Sequence, residues 1–211
     1  MSTVVVHPRH HVLTSLPAAV GIAYSASWIA GLTVGAPAPA FTDSGGEIIR
    51  ELLGHTGAFT TQFLLTEGLP AIGLAVVALA LARTAHSPVA GRLATVTGVA
   101  AALISFTQFL LGLALARAGS PDSAHLLFEL VNRFDGAKMF LLAGLSVAAV
   151  LTGLLPRWLN YTAIAMAVAI VASGIGYLFL IQGLATLAYV SGPLLLVVIT
   201  GTGLVLGRKS R

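Results

Sequence analysis

The chain contains no cysteine. Disulfides, thiol redox chemistry and thiolate metal sites are excluded, and cysteine usage assigns no compartment. Charge is almost as scarce, at 9% of residues, where a soluble domain carries about 25%. No Walker loop, dinucleotide glycine pattern, HExxH or nucleophile elbow occurs. No lysine lies deep in the last apolar run and no histidine pair lies inside any run, which disfavours a retinal Schiff base and bis-histidine haem. No cofactor is expected. What fills the chain is aliphatic: 57% of residues are hydrophobic and mean hydropathy is +0.96. No soluble core uses this much apolar surface, so the solvent is lipid. At 211 residues the chain is read as one membrane domain, 1–211.

A span needs about 20 apolar residues. Six runs qualify: 13–34, 57–82, 93–116, 137–155, 159–181 and 188–206. The predicted fold is all-α, a polytopic bundle of six transmembrane helices. Six crossings put both termini on one side. That side holds Arg9, Arg83, Arg92, Arg157, Arg208, Lys209 and Arg211 and no acid. The other side holds Asp43, Glu47, Glu51, Asp122, Glu129 and Asp135 with Arg50, Arg117, Arg133 and Lys138. The positive-inside rule makes the basic side cytoplasmic, in a multi-pass cell-membrane protein with both termini inside. It also explains the high isoelectric point without nucleic acid. The segment Ala36-Pro-Ala-Pro-Ala40 looks like a signal-peptidase site, but the run before it is too long for a secretory core of about 7–15 residues. It is read as uncleaved.

The longer outer loops each contain a short amphipathic pattern. In 35–56, Ile48, Ile49, Leu52 and Leu53 form one stripe; in 117–136, Ser120-Pro-Asp-Ser123 signals a helix start before Leu127, Phe128, Val131 and Phe134. Both are predicted as short helices at the outer interface. Gly31-x-x-x-Gly35 and Gly203-x-x-x-Gly207 match a close-packing motif and offer a homo-oligomer contact.

Glu67 is the only acid inside a run. A carboxyl there is expensive and marks a functional site by default. It lies 16 residues outward of Arg83, as Gln108 does of Arg92 and Ser173 of Arg157; Ser191 and Ser27 fall at similar heights on their own spans. At 1.5 Å per residue this is roughly 24 Å from the basic end, a single polar layer in the outer half. Gln62, Thr61, Thr66, Tyr177 and Gln182 stand above it. Pro70 removes a backbone donor and frees the Thr66 carbonyl beside Glu67. A charged Glu67 needs a cation, and Lys138 and Arg133 are the candidates. In 129–138, Glu129–Arg133 and Asp135–Lys138 are spaced as helical ion pairs. A sharper reading has Arg133 binding an anion while Asp135 holds it.

Two pairs at helical spacing, Glu51/His55 and His125/Glu129, carry metal-ligand residue types. Four ligands of this kind suit zinc, but Gly54 weakens the first pair and nothing brings the two together, so no metal is expected. The tail His7, Arg9, His10 and His11 orients the first span or touches anionic lipid.

Asn132-Arg-Phe-Asp-Gly-Ala-Lys138, an aliphatic span and Leu155-Pro-Arg-Trp-Leu159 together resemble a broad group of bacterial six-span integral membrane proteins of unknown function. The resemblance covers mainly the C-terminal half. It implies six spans and no mechanism.

The expected role is binding a small or lipidic molecule in an outward-facing polar pocket built from Glu67, Gln62, Gln108, Arg133, Asp135, Lys138, Ser173 and Tyr177, with membrane lipids as partners. Two alternatives stay open. One is a small intramembrane enzyme acting on a lipid or isoprenoid with Glu67 as general acid or base. The other is a proton-coupled transporter, which needs a second polar layer on the cytoplasmic half.

Overall fold

A computed structural model describes residues 16–209. The histidine tail, the start of the first run and Arg211 lie outside the described residues. Helix α1 is Leu16–Leu32, α2 Gly45–Leu52 and α3 Thr56–Phe63. A π-helical turn, Leu64–Gly68, runs on into α4, Leu69–Thr84. Then come α5 Pro88–Leu115, α6 Pro121–Leu151, α7 Arg157–Leu178, the one-turn α8 Gln182–Ala185 and α9 Ala188–Lys209. No strand occurs among the described residues.

Five helical stretches are long and apolar enough to cross a membrane: Thr56–Thr84, Pro88–Leu115, Pro121–Leu151, Arg157–Leu178 and Gln182–Arg208. The first apolar helix, α1, has 17 residues and is shorter than these. Neighbouring helices close a ring in the order α1, α4, α5, α6, α7, α9 and back to α1, with α4 also touching α9 across the middle. Inside the ring, Leu74, Val77, Leu81, Leu142, Leu159, Met166 and Ile170 are buried. Outside it, Leu103, Phe106, Val147, Val168 and Tyr161 are exposed. An apolar exterior around an apolar core is what a lipid solvent allows.

Local chemistry sets the ends. Ser87 and Ser120 cap α5 and α6, each followed by a proline in the first turn. Ser44 and Glu47 form a reciprocal capping box on α2. The Ser44 backbone N–H and hydroxyl bonded to Glu47 hold that carboxyl below its usual range. Gly35, Gly54 and Gly153 take positive φ at the exits of α1, α2 and α6.

Several boundaries differ from expectation. The outer segment after Ser120 is not a separate interfacial helix; it is the first part of α6, a single helix of 31 residues. Gly136, the end of the expected outer loop, lies inside that helix. It is the place where α6 crosses α7: a Cβ there would stand 2.6 Å from the Leu178 nitrogen and 2.7 Å from the Gly174 oxygen. The fifth run was expected to reach 181, but α7 stops at Leu178. Leu180 turns into the left-handed region at φ 56°, and α8 folds back onto Gly176, where a Cβ would overlap the Ala185 nitrogen.

Helix α2 buries Ile48 and Leu52 against Phe59, Leu115, Ala124 and Phe128. Its Gly45 lies on the Pro121 carbonyl, so α2 is docked on the start of α6. Two of the glycines offered for oligomer contact have neighbours within the chain. Gly31 packs on Thr66 and Leu65, and Gly203 on Pro17 and Gly21. A Cβ on Gly35 would meet nothing within 4 Å.

Candidate functional site

Proline cannot donate to the helix ladder, and its ring pushes on the turn before it. Just ahead of Pro70 the backbone widens into the π-helical turn, with the Leu69 N–H reaching back to Leu64. Such a turn leaves carbonyls that neighbours must satisfy in lipid. Ser27 on α1 donates to the Leu65 carbonyl at 2.7 Å, and Ser105 on α5 donates to the Glu67 carbonyl at 3.2 Å. Thr66 donates to the Gln62 carbonyl at 2.9 Å. The carbonyls that gain partners from other helices thus flank Thr66, the one the proline rule singled out.

The same turn aims Glu67 into the ring, where it is 8% exposed. Lys138 of α6 donates to both of its carboxylate oxygens, at 2.8 and 2.7 Å. The Ser105 hydroxyl donates to Oε2 at 2.5 Å. Lys138 Nζ also lies 2.8 Å from Asp135 Oδ1. One buried ammonium is therefore shared by two carboxylates, whose side chains are 11% and 21% exposed. Asp135 is the more open end of this triad. An unpaired ion here would cost several kcal/mol, and the shared ammonium with the serine hydroxyl offsets it. Tyr24 on α1 and Tyr177 on α7 are both within electrostatic reach of Lys138 and Asp135. Tyr177 also meets Phe41 edge-on, with ring centroids 5.6 Å apart.

The other residues singled out are dispersed around the triad. Gln108 is buried on the Ser105 face of α5, and its Nε2 donates to the Val131 carbonyl at 3.1 Å. Ser173 is buried on α7 beside the Gly136–Gly174 crossing. Gln108 Oε1 and Ser173 Oγ have no hydrogen-bond partner. Gln62 is half-buried on α3. Arg133 is about half exposed and pairs with Glu129 at 3.5 Å; among the described residues no ion pair joins it to Asp135, whose cation is Lys138. Glu129 also meets His125 at 3.6 Å. Gly54 separates α2 from α3, so Glu51 and His55 do not share a helix.

Sequence reasoning missed Ser105 as a Glu67 partner. The height ruler selected Gln108, one turn too far out, because it assumes that all spans are straight and equally tilted. Three serines in the layer looked equivalent, and only packing separates them.

No family model matches this chain, and neither a curated protein nor a solved structure matches it.

Proposed function

We propose that this chain is a six-span protein of the cell membrane with both termini cytoplasmic, and that it binds a small or lipidic molecule at the outer polar layer around Glu67. The sixth crossing is α1, whose 17 residues cover about 25 Å and need only a few flanking residues or a thinner local bilayer. The resemblance carried by 132–138 and 155–159 supports the same count. Orientation rests on the acid-free basic end.

The observation that carries the binding reading is the buried triad. Structural needs alone do not call for two carboxyl groups and an ammonium inside an apolar ring, since a well-packed apolar set is often as stable. With formal charges the triad is one positive charge short of neutral. A ligand that brings a cation or hydrogen-bond donors to Asp135, the open end, and an apolar body to the surrounding rings fits that deficit. Gln108 Oε1 and Ser173 Oγ add hydrogen-bonding capacity that the chain itself leaves unused. The enzyme reading asks for a free Glu67 oxygen, and both oxygens are engaged by Lys138. The transporter reading asks for titratable groups below the layer. There the buried Thr97 and Ser146 donate to their own helix backbones.

The test is native mass spectrometry of protein purified in mild detergent, with extraction of co-purifying small molecules. Wild type is expected to retain a discrete species that Glu67→Gln/Lys138→Met and the milder Asp135→Asn lose. Identical profiles in folded wild type and both variants contradict the reading.

A further inference from the structure

The opposite end of the bundle gathers charges that the triad does not involve. Between the end of α4 at Thr84 and the start of α5 at Pro88 the chain turns around a hollow of about 420 Å³. Arg83, His86, Ser87 and Arg92 line it, together with Leu79 and Thr95 one turn further into the span. Gly91 closes its floor: a Cβ there would stand 3.0 Å from the Ala82 oxygen, so the first turn of α5 lies directly on the last turn of α4. The sequence has no Asp or Glu between Glu67 and Asp122. Among the described residues neither Arg83 nor Arg92 forms an ion pair. Both side chains are exposed. The positive end of the α5 dipole opens at the same turn, capped by Ser87.

A preference for basic residues on one side explains why arginines occur at this end. It does not explain why two of them, nine positions apart in sequence, meet a histidine and a helix start in one hollow. We propose that this hollow is a phosphate site, separate from the outer layer. Two guanidinium forks suit a phosphate oxygen pair better than point charges do, and basic pockets between spans on the cytoplasmic side hold anionic headgroups. Leu79 and Thr95 extend the wall into the span, so a lipid phosphate is seated with its chains running down beside α4 and α5. The same chemistry accepts free inorganic phosphate.

The experiment uses the full chain in detergent, with two probes. Native mass spectrometry reads retention of phosphatidylglycerol against phosphatidylcholine after mixing with vesicles of both. Calorimetric titration reads binding of inorganic phosphate. Arg83→Gln/Arg92→Gln removes the hollow's charges; Arg157→Gln/Arg208→Gln removes equal charge from the same end outside it. Wild type is expected to prefer phosphatidylglycerol, with the preference falling about tenfold or more in the first variant and less than about threefold in the second, whose charges are screened from the hollow. Phosphate binding that is lost only in the first variant, without lipid preference, assigns the site to free phosphate. If the first variant does not fold, Arg83→Lys/Arg92→Lys replaces it, and loss of the bidentate geometry is expected to weaken binding. Equal losses in the two glutamine variants, unchanged binding in the lysine variant, or wild type that binds neither probe overturns the proposal.

Discussion

At the residue scale, Ser105 and Gln108 stand one turn apart on α5, and their circumstances differ. Ser105 gives its hydroxyl to the carboxylate and the carbonyl of Glu67. Gln108 uses one end of its amide on a carbonyl and leaves Oε1 without a partner. Ser105→Ala is therefore expected to cost about 1 kcal/mol, since it strips a hydrogen bond from a charged acceptor. Gln108→Met is expected to cost less, because removing both ends of an imperfectly bonded amide for a side chain of similar shape is close to neutral. Thermal unfolding of the two variants in one detergent checks the order, and a larger loss in Gln108→Met contradicts it. Glu67 could be singled out from sequence because a carboxyl in a long apolar run has no cheap explanation. Its serine partner could not be, because serine is ordinary in such runs and the π turn shifts register in a way no periodicity reveals.

At the scale of elements, α6 decides the geometry. It carries Asp135 and Lys138 about one turn apart and brings them to Glu67 at the point where Gly136 lets α7 approach. Gly136→Ala forces a Cβ into the α7 backbone and is expected to destabilise by about 1–3 kcal/mol or more. At Gly57, in the first turn of α3, a Cβ meets nothing within 4 Å, and Gly57→Ala is expected to be neutral or stabilising by up to about 1 kcal/mol. Comparison of the two melting temperatures tests this; equal shifts contradict the crossing. The helix start at Ser120-Pro121 was legible because capping is local; Ser87-Pro88 starts α5 in the same way, although the apolar run alone put that span's start at 93. The unbroken run from Pro121 to Leu151 was not, because a polar amphipathic stretch followed by an apolar run reads as a loop helix and a separate span, and only packing shows one helix through both. The same holds for Leu180, whose left-handed turn is imposed by α8 folding back on Gly176.

At the scale of the whole molecule, the ring of α1, α4, α5, α6, α7 and α9 places the triad towards one end and Arg83, Arg92, Arg157 and Arg208 at the other. Apolar run length and the segregation of charge foretold that much, and they carry the proposed orientation. The cysteine-free chain makes that orientation easy to read. A cysteine at Asp43 is expected to react with an impermeant thiol reagent on intact cells, and one at Ser87 only after the membrane is opened; the reverse pattern contradicts the proposed sidedness. What run lengths do not foretell is how the polar layer is satisfied, and the account depends on that pairing. A double-mutant cycle on global unfolding of the reconstituted protein measures it most directly. Lys138→Met alone strands two carboxyl groups and is expected to cost about 3–5 kcal/mol. Glu67→Gln alone leaves Lys138 its Asp135 partner and is expected to cost less. The double variant is expected to lose about 1–3 kcal/mol less than the sum of the two. Losses that add to within about 0.5 kcal/mol would mean that Glu67 and Lys138 do not hold each other inside the ring.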